Sequence, residues 1–222
     1  MLPGSVETMD HPPLRDEPTT WPVAESADLH RDGWVVALRE DRIRRPGHPD
    51  EEPFRRVVLE HPGAAVVLAV DEQERVLCLW QYRHAAEHRF VEIPAGLMDG
   101  DDEDPLDVAR RELAEEAGLA AGEWTHLVST YASPGISAEL AHIYLARDLS
   151  DVGRGDFEPQ HEEAEMEAAW VPFDDLRAGV LEGRLCDAPL VIAILVAHAR
   201  GLAGAARHDG VPAGVQEEGA AT

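Results

Sequence analysis

The strongest constraint on how this chain folds is a helix whose two ends are both specified by the sequence. Asp104 is suited to cap the first turn of a helix, and Pro105 stands at the first helical position, where proline is tolerated. Gly118 can adopt the left-handed conformation that ends a helix. We therefore predict a helix over residues 105–117. At helical spacing, the stripe expected to be buried consists of Leu106, Ala109, Leu113 and Ala117.

Three glutamates crowd the last turns of this predicted helix. Glu112 and Glu116 are four residues apart with Glu115 between them, and each like-charge pair at such a spacing costs about 0.2–0.5 kcal/mol. The negative end of the helix dipole adds to that cost. Arg110 and Arg111 offset only part of it. A bound divalent cation would turn the repulsion into attraction, whereas the alternative interpretation is a solvated acidic face.

The composition is strongly acidic and limits the partners of the chain. Nineteen Lys and Arg stand against 44 Asp and Glu, which gives a net charge of −25 over 222 residues. A surface of this charge repels nucleic acid, so we expect no nucleic-acid partner. We also expect no membrane segment and a cytoplasmic location. The basis is that the N-terminus lacks a signal-like pattern and the longest uncharged apolar run, 188–197, is half a membrane span. Cys78 and Cys186 are predicted to be buried thiols.

The remaining pattern predicts an α+β fold. Runs at 34–38 and 54–59 flank a turn at 45–50 and suggest a hairpin, and runs at 65–70 and 76–82 suggest a second hairpin. Further strands are expected at 90–93, 124–131, 141–146 and 168–171, and a mostly apolar helix at 188–200. Strands mixed with few helices favour a layered sandwich over a Rossmann fold. We expect disorder over residues 1–20, N-terminal strands within 21–62, a main domain over 63–200 and a flexible tail over 201–222.

The segment around the glutamates resembles the Nudix box. That pattern runs from a glycine through a distant glutamate to Arg-Glu-aliphatic-x-Glu-Glu-x-Gly-aliphatic, and residues 111–119, RELAEEAGL, match its second part at every specified position. Glu103 stands at the expected distance before Arg111. Gly96 departs from the pattern, because the loop between it and Glu103 is one residue longer than usual. This insertion precedes the helix and should leave the carboxylates in place.

Three weaker motifs are similar to the ADP-ribose pyrophosphatase branch of this family. They are QYRH at 81–84 with EIPAG at 92–96, SPGISAE at 133–139, and the acidic HEEAEM at 161–166. Their order and spacing extend the resemblance over most of residues 30–200. The fold implied is an α/β/α sandwich with a mixed sheet and an N-terminal β-hairpin region.

The resemblance implies a metal site and a structural frame around it. Glu112 and Glu116 would ligate Mg²⁺ (Mn²⁺ is a possible substitute), with Glu115 nearby and the backbone carbonyl of Ala95 completing the site. The positions with a structural role in the motif are Gly96, Glu103, Arg111 and Gly118. Arg111 in particular would hold the carboxylates and the loop by charge-assisted hydrogen bonds.

The resemblance also implies a general base and a substrate pocket. Glu163 matches the family's base, with Glu162 and Glu139 as competitors. Ser133 and Glu139 would meet the terminal ribose, and Arg83 a phosphate. Candidates for stacking on the adenine, which the sequence does not rank, are Trp34, Phe54 and Trp80.

The activity expected from the resemblance is hydrolysis of ADP-ribose to AMP and ribose 5-phosphate. Members of this branch are homodimers that exchange N-terminal strands, so a homodimer is expected here. Another nucleotide sugar or dinucleotide, such as GDP-mannose, is the alternative substrate. A non-catalytic nucleotide sensor is disfavoured, because such modules tend to lose the box glutamates. A simple Ca²⁺-binding domain is disfavoured because the chain lacks an EF-hand pattern.

Overall fold

The computed structural model describes residues 14–98, 100, 103–153, 155 and 165–204. The strands are β1 Val23–His30, β2 Ala37–Ile43, β3 Phe54–Glu60, β4 Ala64–Ala69, β5 Arg75–Arg83, β6 His88–Glu92, β7 Ala95–Leu97, β8 Leu119–Tyr131, β9 Leu140–Asp151 and β10 Glu167–Pro172. The helices are α1 Pro105–Ala117, α2 Phe173–Leu181 and α3 Ala188–Ala199, and a short 3₁₀ helix spans His84–Ala86.

A mixed sheet in the order β7-β4-β9-β8 lies at the centre of the fold. Strands β4 and β9 are parallel, and the other neighbours are antiparallel. Val67 on one face of β4 packs in a cluster with Leu113 of α1, and Val66 on the other face packs in a cluster with Leu190 of α3. A strand whose two faces are both covered has apolar side chains along its whole length, as β4 does. The predicted α+β sandwich with a mixed sheet is confirmed.

A second, antiparallel sheet in the order β10-β5-β6 corrects one expectation. The predicted hairpin of 65–70 with 76–82 is wrong, because β4 and β5 belong to different sheets and only an isolated bridge joins Val70 to Val76. Strand β4 pairs with β7 and β9, and β5 pairs with the distant β10 and with β6, the next strand in the chain. These pairings override the local turn, whose Asp71 carboxylate accepts hydrogen bonds from the Gln73 and Arg75 N–H groups.

The N-terminal strands form a third sheet, in the order β1-β2-β3. The predicted hairpin between its second and third strands is present, with Ile43 opposite Phe54. Strand β2 begins at Ala37, so Trp34 lies outside it and is 67% exposed. The sequence missed β1 because VAESADLH is largely polar and all eight of its residues are exposed.

Helix α1 has the bounds that the sequence specified. The Asp104 carboxylate accepts a hydrogen bond from Leu106 N at 2.9 Å, and Gly118 adopts φ 69°. Ala109 and Leu113 of the predicted stripe are fully buried, whereas Leu106 and Ala117 are half-buried. The buried residues of α1 are Val108, Ala109, Glu112, Leu113 and Glu116. Two of the three crowded glutamates therefore belong to the buried side of the helix.

Helix α3 ends one residue before the predicted position, and Asp187 caps it by accepting from Leu190 N at 3.0 Å. Cys78 is buried as expected. The expectation for Cys186 is wrong, because it lies exposed in the loop before the Asp187 cap. Within the described residues, the helices are all too short or too polar to span a membrane.

The two chain ends are described only in part. Residues 1–13 and 205–222 lie outside the described residues, so most of both predicted flexible segments falls there. Residues 201–204, where the predicted tail begins, are hydrogen-bonded to the domain. Leu202 N donates to Ala197 O at 2.9 Å, and Gly204 N donates to the Glu74 carboxylate at 3.0 Å.

Candidate active site

Helix α1 presents two buried carboxylates beside strand β7. Glu112 and Glu116 are only 8% and 7% exposed, while Glu115 is half-buried. The Ala95 N–H donates a hydrogen bond to Oε2 of Glu116 at 3.1 Å. Burying a carboxylate is costly unless hydrogen bonds or counter-charges compensate. The burial of both side chains therefore marks this end of α1 as a site that concentrates negative charge.

Gly96 leaves room for the close approach of Glu112. A Cβ atom at Gly96 would lie 1.9 Å from the Glu112 carboxyl carbon and 2.0 Å from Oε1. Real Cβ contacts do not reach such distances, so the helix carboxylate fills the space that any other residue would need. The glycine at the start of the motif thus makes room for the side chain of a glutamate 16 positions later in the chain.

Arg111 links the carboxylates to the β7 backbone. Its Nη1 lies 2.7 Å from Oε1 of Glu112 and 3.6 Å from Oε2 of Glu115, and its Nη2 donates to Leu97 O at 3.5 Å. A planar guanidinium offers several donors in a fixed geometry, which suits it to such bridging. These contacts are the kind that the sequence assigned to Arg111.

The two remaining structural positions of the motif lie at the ends of α1. Glu103 accepts a hydrogen bond from Gly100 N at 3.2 Å, beside the loop that carries the extra residue. Gly118 N donates to Ala114 O at 2.8 Å and closes the helix. The loop insertion therefore leaves α1 intact, although its residues 99, 101 and 102 lie outside the described residues.

The donor chemistry of this site fits a hard divalent cation. Mg²⁺ is usually held by one or two carboxylates together with water and substrate phosphate oxygens. Glu112, Glu116 and the Ala95 backbone supply protein oxygens of that kind. Within the described residues, no three or more His, Cys, Asp or Glu side chains already stand as a preassembled metal cluster.

Arg83 and two further acids lie beside the carboxylates. Arg83 binds Glu92 through two hydrogen bonds, of 2.9 and 2.6 Å, and Glu92 is only 7% exposed. The hydrogen bond with Glu92 raises the pKa of Arg83, and the negative charges of Asp187 and Glu116 add to this. Burial raises the pKa of Asp187 to about 6, and Glu92 adds to that shift. Sequence reasoning assigned no role to Glu92 or Asp187, although Asp187 stands where a helix cap is expected.

A model of the NUDIX domain family matches residues 59–191, which include every element of this site. The chain belongs to the Nudix family. The box helix is thus α1, and Glu112 and Glu116 of the box are the two glutamates that this helix buries.

Two relatives and one solved structure are similar to this Nudix chain over most of its length. It is 40% identical to the ADP-ribose pyrophosphatase of Mycobacterium tuberculosis (strain ATCC 25618 / H37Rv), over 78% of this chain and 81% of that protein. It is 32% identical to the methanol dehydrogenase activator of Bacillus methanolicus, over 73% and 84% respectively. A solved ADP compounds hydrolase shares the fold with a TM-score of 0.65 at 18% identity, over 85% of this chain and all of that one.

The loop after β8 is organised by its own backbone and by the N-terminal sheet. Ser133 O accepts from Ile136 N at 3.0 Å and from Ser137 N at 2.9 Å. Glu139 N donates to the Ser137 hydroxyl at 3.1 Å, and Ser137 is only 8% exposed. Leu59 of β3 donates to Ile136 O at 2.8 Å and accepts from Ala138 N at 3.2 Å. The sequence named Ser133 and Glu139 but missed Leu59 and Ser137, which hold the loop.

The predicted site residues thus fall into separate groups. Around β7 and α1, Ala95 contacts Glu116, and Glu112 contacts both Gly96 and Arg111. Arg83 interacts electrostatically with Glu116. Ser133 and Glu139 belong to the β8–β9 loop. The predicted base Glu163 and its competitor Glu162 lie outside the described residues.

The three aromatic candidates for adenine stacking differ in their surroundings. Trp34 is exposed. Phe54 meets the edge of Trp21 at 6.3 Å between ring centroids, with the Arg56 guanidinium 4.5 Å from its ring. Trp80 packs against the apolar core cluster. Trp34 is therefore the most exposed of the three, whereas Phe54 and Trp80 are both half-buried.

Proposed function

We propose that this chain hydrolyses the pyrophosphate bond of ADP-ribose to AMP and ribose 5-phosphate with the help of Mg²⁺. The observation that carries the proposal is the burial of Glu112 and Glu116 against a strand whose Gly96 leaves room for the carboxylate. The 40% identity to an ADP-ribose pyrophosphatase supports the choice of substrate. Another relative, at 32% identity, is named a methanol dehydrogenase activator and not a pyrophosphatase. The substrate of this chain therefore needs a test of its own.

The roles proposed for the site follow from its oxygen donors. Glu112, Glu116 and the Ala95 carbonyl would hold Mg²⁺ with Glu115 nearby, and Mn²⁺ could take its place. When bound there, the cation would neutralise the diphosphate and acidify the attacking water. Arg111 keeps the carboxylates in register with β7 through its contacts to Glu112 and Leu97.

The proposed reaction adds water across one phosphoanhydride bond. The water oxygen bonds to one phosphorus, the bridging P–O bond breaks, and the other phosphate leaves with the bond electrons. Glu163 accepts the proton of the water in this proposal, and Glu162 and Glu139 are its competitors. All three candidates are carboxylates that follow the box in the chain.

The proposed pocket uses the elements around the box helix. Arg83 would pair with a phosphate while Glu92 fixes its guanidinium, and Ser133 and Glu139 would bind the terminal ribose. Trp34, Phe54 or Trp80 would stack on the adenine.

The proposed assembly is a homodimer in which the strands within 21–62 meet a second copy and complete the partner's pocket. Full exposure of β1 is compatible with such a partner. The division into this segment and a main domain at 63–200 is part of the same proposal. The cytoplasmic location stays a prediction.

A substrate panel with product analysis tests the proposal. The purified chain is incubated with Mg²⁺ and ADP-ribose, GDP-mannose or a dinucleoside diphosphate, and the products are separated by anion-exchange chromatography. We expect ADP-ribose to be turned over fastest and to yield equal amounts of AMP and ribose 5-phosphate. Clear preference for GDP-mannose would contradict the substrate, and the absence of any turnover would favour the nucleotide-sensing alternative.

A further inference from the structure

Two histidines and a serine converge on one face of the β8–β9 hairpin, in a group that the proposed reaction does not use. Nε2 of His126 lies 2.9 Å from the Ser129 hydroxyl oxygen, and Nδ1 of His142 lies 2.9 Å from the same oxygen. The two ring nitrogens are therefore no farther apart than the sum of these distances. His126 and Ser129 are exposed and His142 is half-buried, so solvent reaches the group.

A β-bulge brings the three side chains to the same face. Residues three apart on a regular strand point to opposite faces, which would separate His126 from Ser129. Here His126 pairs with Tyr144 and Ser129 pairs with His142, and the register shifts between residues 126 and 128. Because 142 and 144 share a face, their partners do as well. Bulges of this kind re-aim side chains and are frequent beside functional sites.

The surroundings hold the rings in place. The His126 ring meets the buried Tyr144 ring at 5.3 Å between centroids. Leu127, the residue inside the bulge, is 7% exposed and packs in the core cluster on the opposite face. Arg200 of the segment after α3 donates to the carbonyls of His126 and Leu127 at 2.9 and 3.1 Å. The bulge is therefore fixed by contacts on both sides of the sheet.

We propose that His126 and His142, with the Ser129 hydroxyl between them, bind a transition-metal dication such as Zn²⁺ at a site separate from the carboxylates of α1. Imidazole nitrogen is a preferred ligand of such ions, whereas Mg²⁺ prefers oxygen. Zn²⁺ binds imidazole at about 2.0–2.1 Å, so small ring rotations toward the position near the hydroxyl suffice. Water, or the hydroxyl itself, completes the coordination from the exposed side.

The hydrogen bonds of the group leave one ring nitrogen ready to bind a cation. A serine hydroxyl has one proton, so it donates to one ring nitrogen and accepts from the other. The accepting nitrogen already directs its lone pair at the Ser129 hydroxyl, and the other nitrogen gives up its proton or changes tautomer when the cation binds. The net charge of −25 also attracts cations to the chain.

Calorimetric titration of Zn²⁺ into the full chain tests this site. Excess Mg²⁺ is present throughout to occupy the carboxylates of α1. We expect one Zn²⁺ per chain, and His126→Ala and His142→Ala should each weaken its binding at least about tenfold. His48→Ala is the matched control, because His48 is an exposed histidine on the 45–50 turn. Glu116→Gln should bind Zn²⁺ like the wild type.

Three results would overturn the proposal: no Zn²⁺ binding by the wild type, unchanged binding after both histidines are replaced, or loss of binding in Glu116→Gln. Histidine ring nitrogen NMR on the wild type gives a second measurement that does not depend on how a variant folds. Zn²⁺ should shift the signals of His126 and His142. Shifts confined to other histidines would rule the site out. Neither measurement requires ADP-ribose hydrolysis. The zinc site is therefore tested independently of the proposed function.

Discussion

The contact between Gly96 and Glu112 shows how one residue can act on another far along the chain. The carboxylate occupies the space in which a Cβ at position 96 would stand. Arg111 holds the same carboxylate from the other side and reaches the Leu97 carbonyl. The box glycine, arginine and glutamate therefore form one physical unit, and replacing any one of them changes where the carboxylate lies.

Glu116→Gln separates the chemical role of a box glutamate from its structural role. Glutamine still has an oxygen to accept from Ala95 N, but it lacks the charge that a cation requires. We expect kcat to fall about 10²–10³-fold, because several kcal/mol of charge stabilisation are lost. Stability should be unchanged or slightly higher, since repulsion within α1 is removed. Steady-state kinetics and thermal unfolding measure the two effects.

Glu115→Gln is the control for this prediction. Glu115 is half-buried and lies 3.6 Å from Arg111, so its loss should reduce kcat less than the loss of Glu116. Near-normal activity in Glu116→Gln, or an equal loss in both variants, would count against the assignment of Glu116 as a ligand.

At the scale of elements, the sequence predicted best where local chemistry decides. The bounds of α1 follow from its Asp104 cap and Gly118, and both act within the helix itself. Strand β1 was missed because its exposed, polar residues carry no alternating pattern. The wrong hairpin of β4 and β5 arose because long-range pairing, which local sequence does not encode, set both neighbours of β4 and the β10 neighbour of β5. Sequence reasoning also missed the hydrogen bonds between Leu59 and the 133–139 loop. They are long-range as well, and they use backbone groups, which every residue has.

Ser137 positions the loop that the proposal places over the ribose. Its buried hydroxyl accepts the hydrogen bond of Glu139 N, so Ser137→Ala should let that backbone group shift. We expect KM for ADP-ribose to rise about threefold to tenfold, the loss of roughly one hydrogen bond, with kcat nearly unchanged. Ser137→Thr, which keeps the hydroxyl, should restore much of the affinity. A fall in kcat at constant KM would show that Ser137 does not act through substrate binding.

The cap of α3 predicts a dependence of stability on pH. The pKa of Asp187 is raised to about 6 in the folded chain, from an ordinary value of 3.8. The folded state therefore binds more protons than the unfolded state between these values, and this group makes stability fall as pH rises from about 4 to about 6. Asp187→Asn keeps a capping side chain and removes the buried charge. The variant should be about 1–2 kcal/mol more stable than the wild type at pH 7.

Urea unfolding of the wild type and Asp187→Asn at pH 4, 5 and 7 measures this difference. It should shrink toward zero as the pH falls. Asp104→Asn makes the same substitution at the exposed cap of α1 and is the matched control. A difference between wild type and Asp187→Asn that stays constant over this range would contradict the assignment to Asp187.

At the scale of the whole molecule, one ion pair ties together segments that are distant in sequence. Arg147 of β9 contacts the Glu74 carboxylate in the turn before β5 at 2.9 and 3.0 Å, and also donates to Leu202 O at 2.9 Å. Glu74 in turn accepts from Gly204 N at 3.0 Å, and its backbone oxygen accepts from Phe173 N at 2.9 Å. The central sheet, the second sheet and the segments that begin α2 and follow α3 thus meet at one position.

Removing Arg147 should consequently weaken the fold far more than removing an ordinary surface arginine. Its side chain is only 14% exposed, and Arg147→Ala leaves the Glu74 carboxylate and the Leu202 carbonyl without its donors. We expect the free energy of unfolding to fall by about 1.5–3 kcal/mol, as for the loss of hydrogen bonds to a charged group, because Glu74 is half-buried and keeps the hydrogen bond from Gly204 N. Arg177→Ala, which removes an arginine paired with Asp174 within α2, should cost no more than about 0.5 kcal/mol. Urea unfolding at pH 7, followed by both circular dichroism and tryptophan fluorescence, compares the two variants. Equal losses would mean that the central sheet, the second sheet and the helices after it do not depend on this contact.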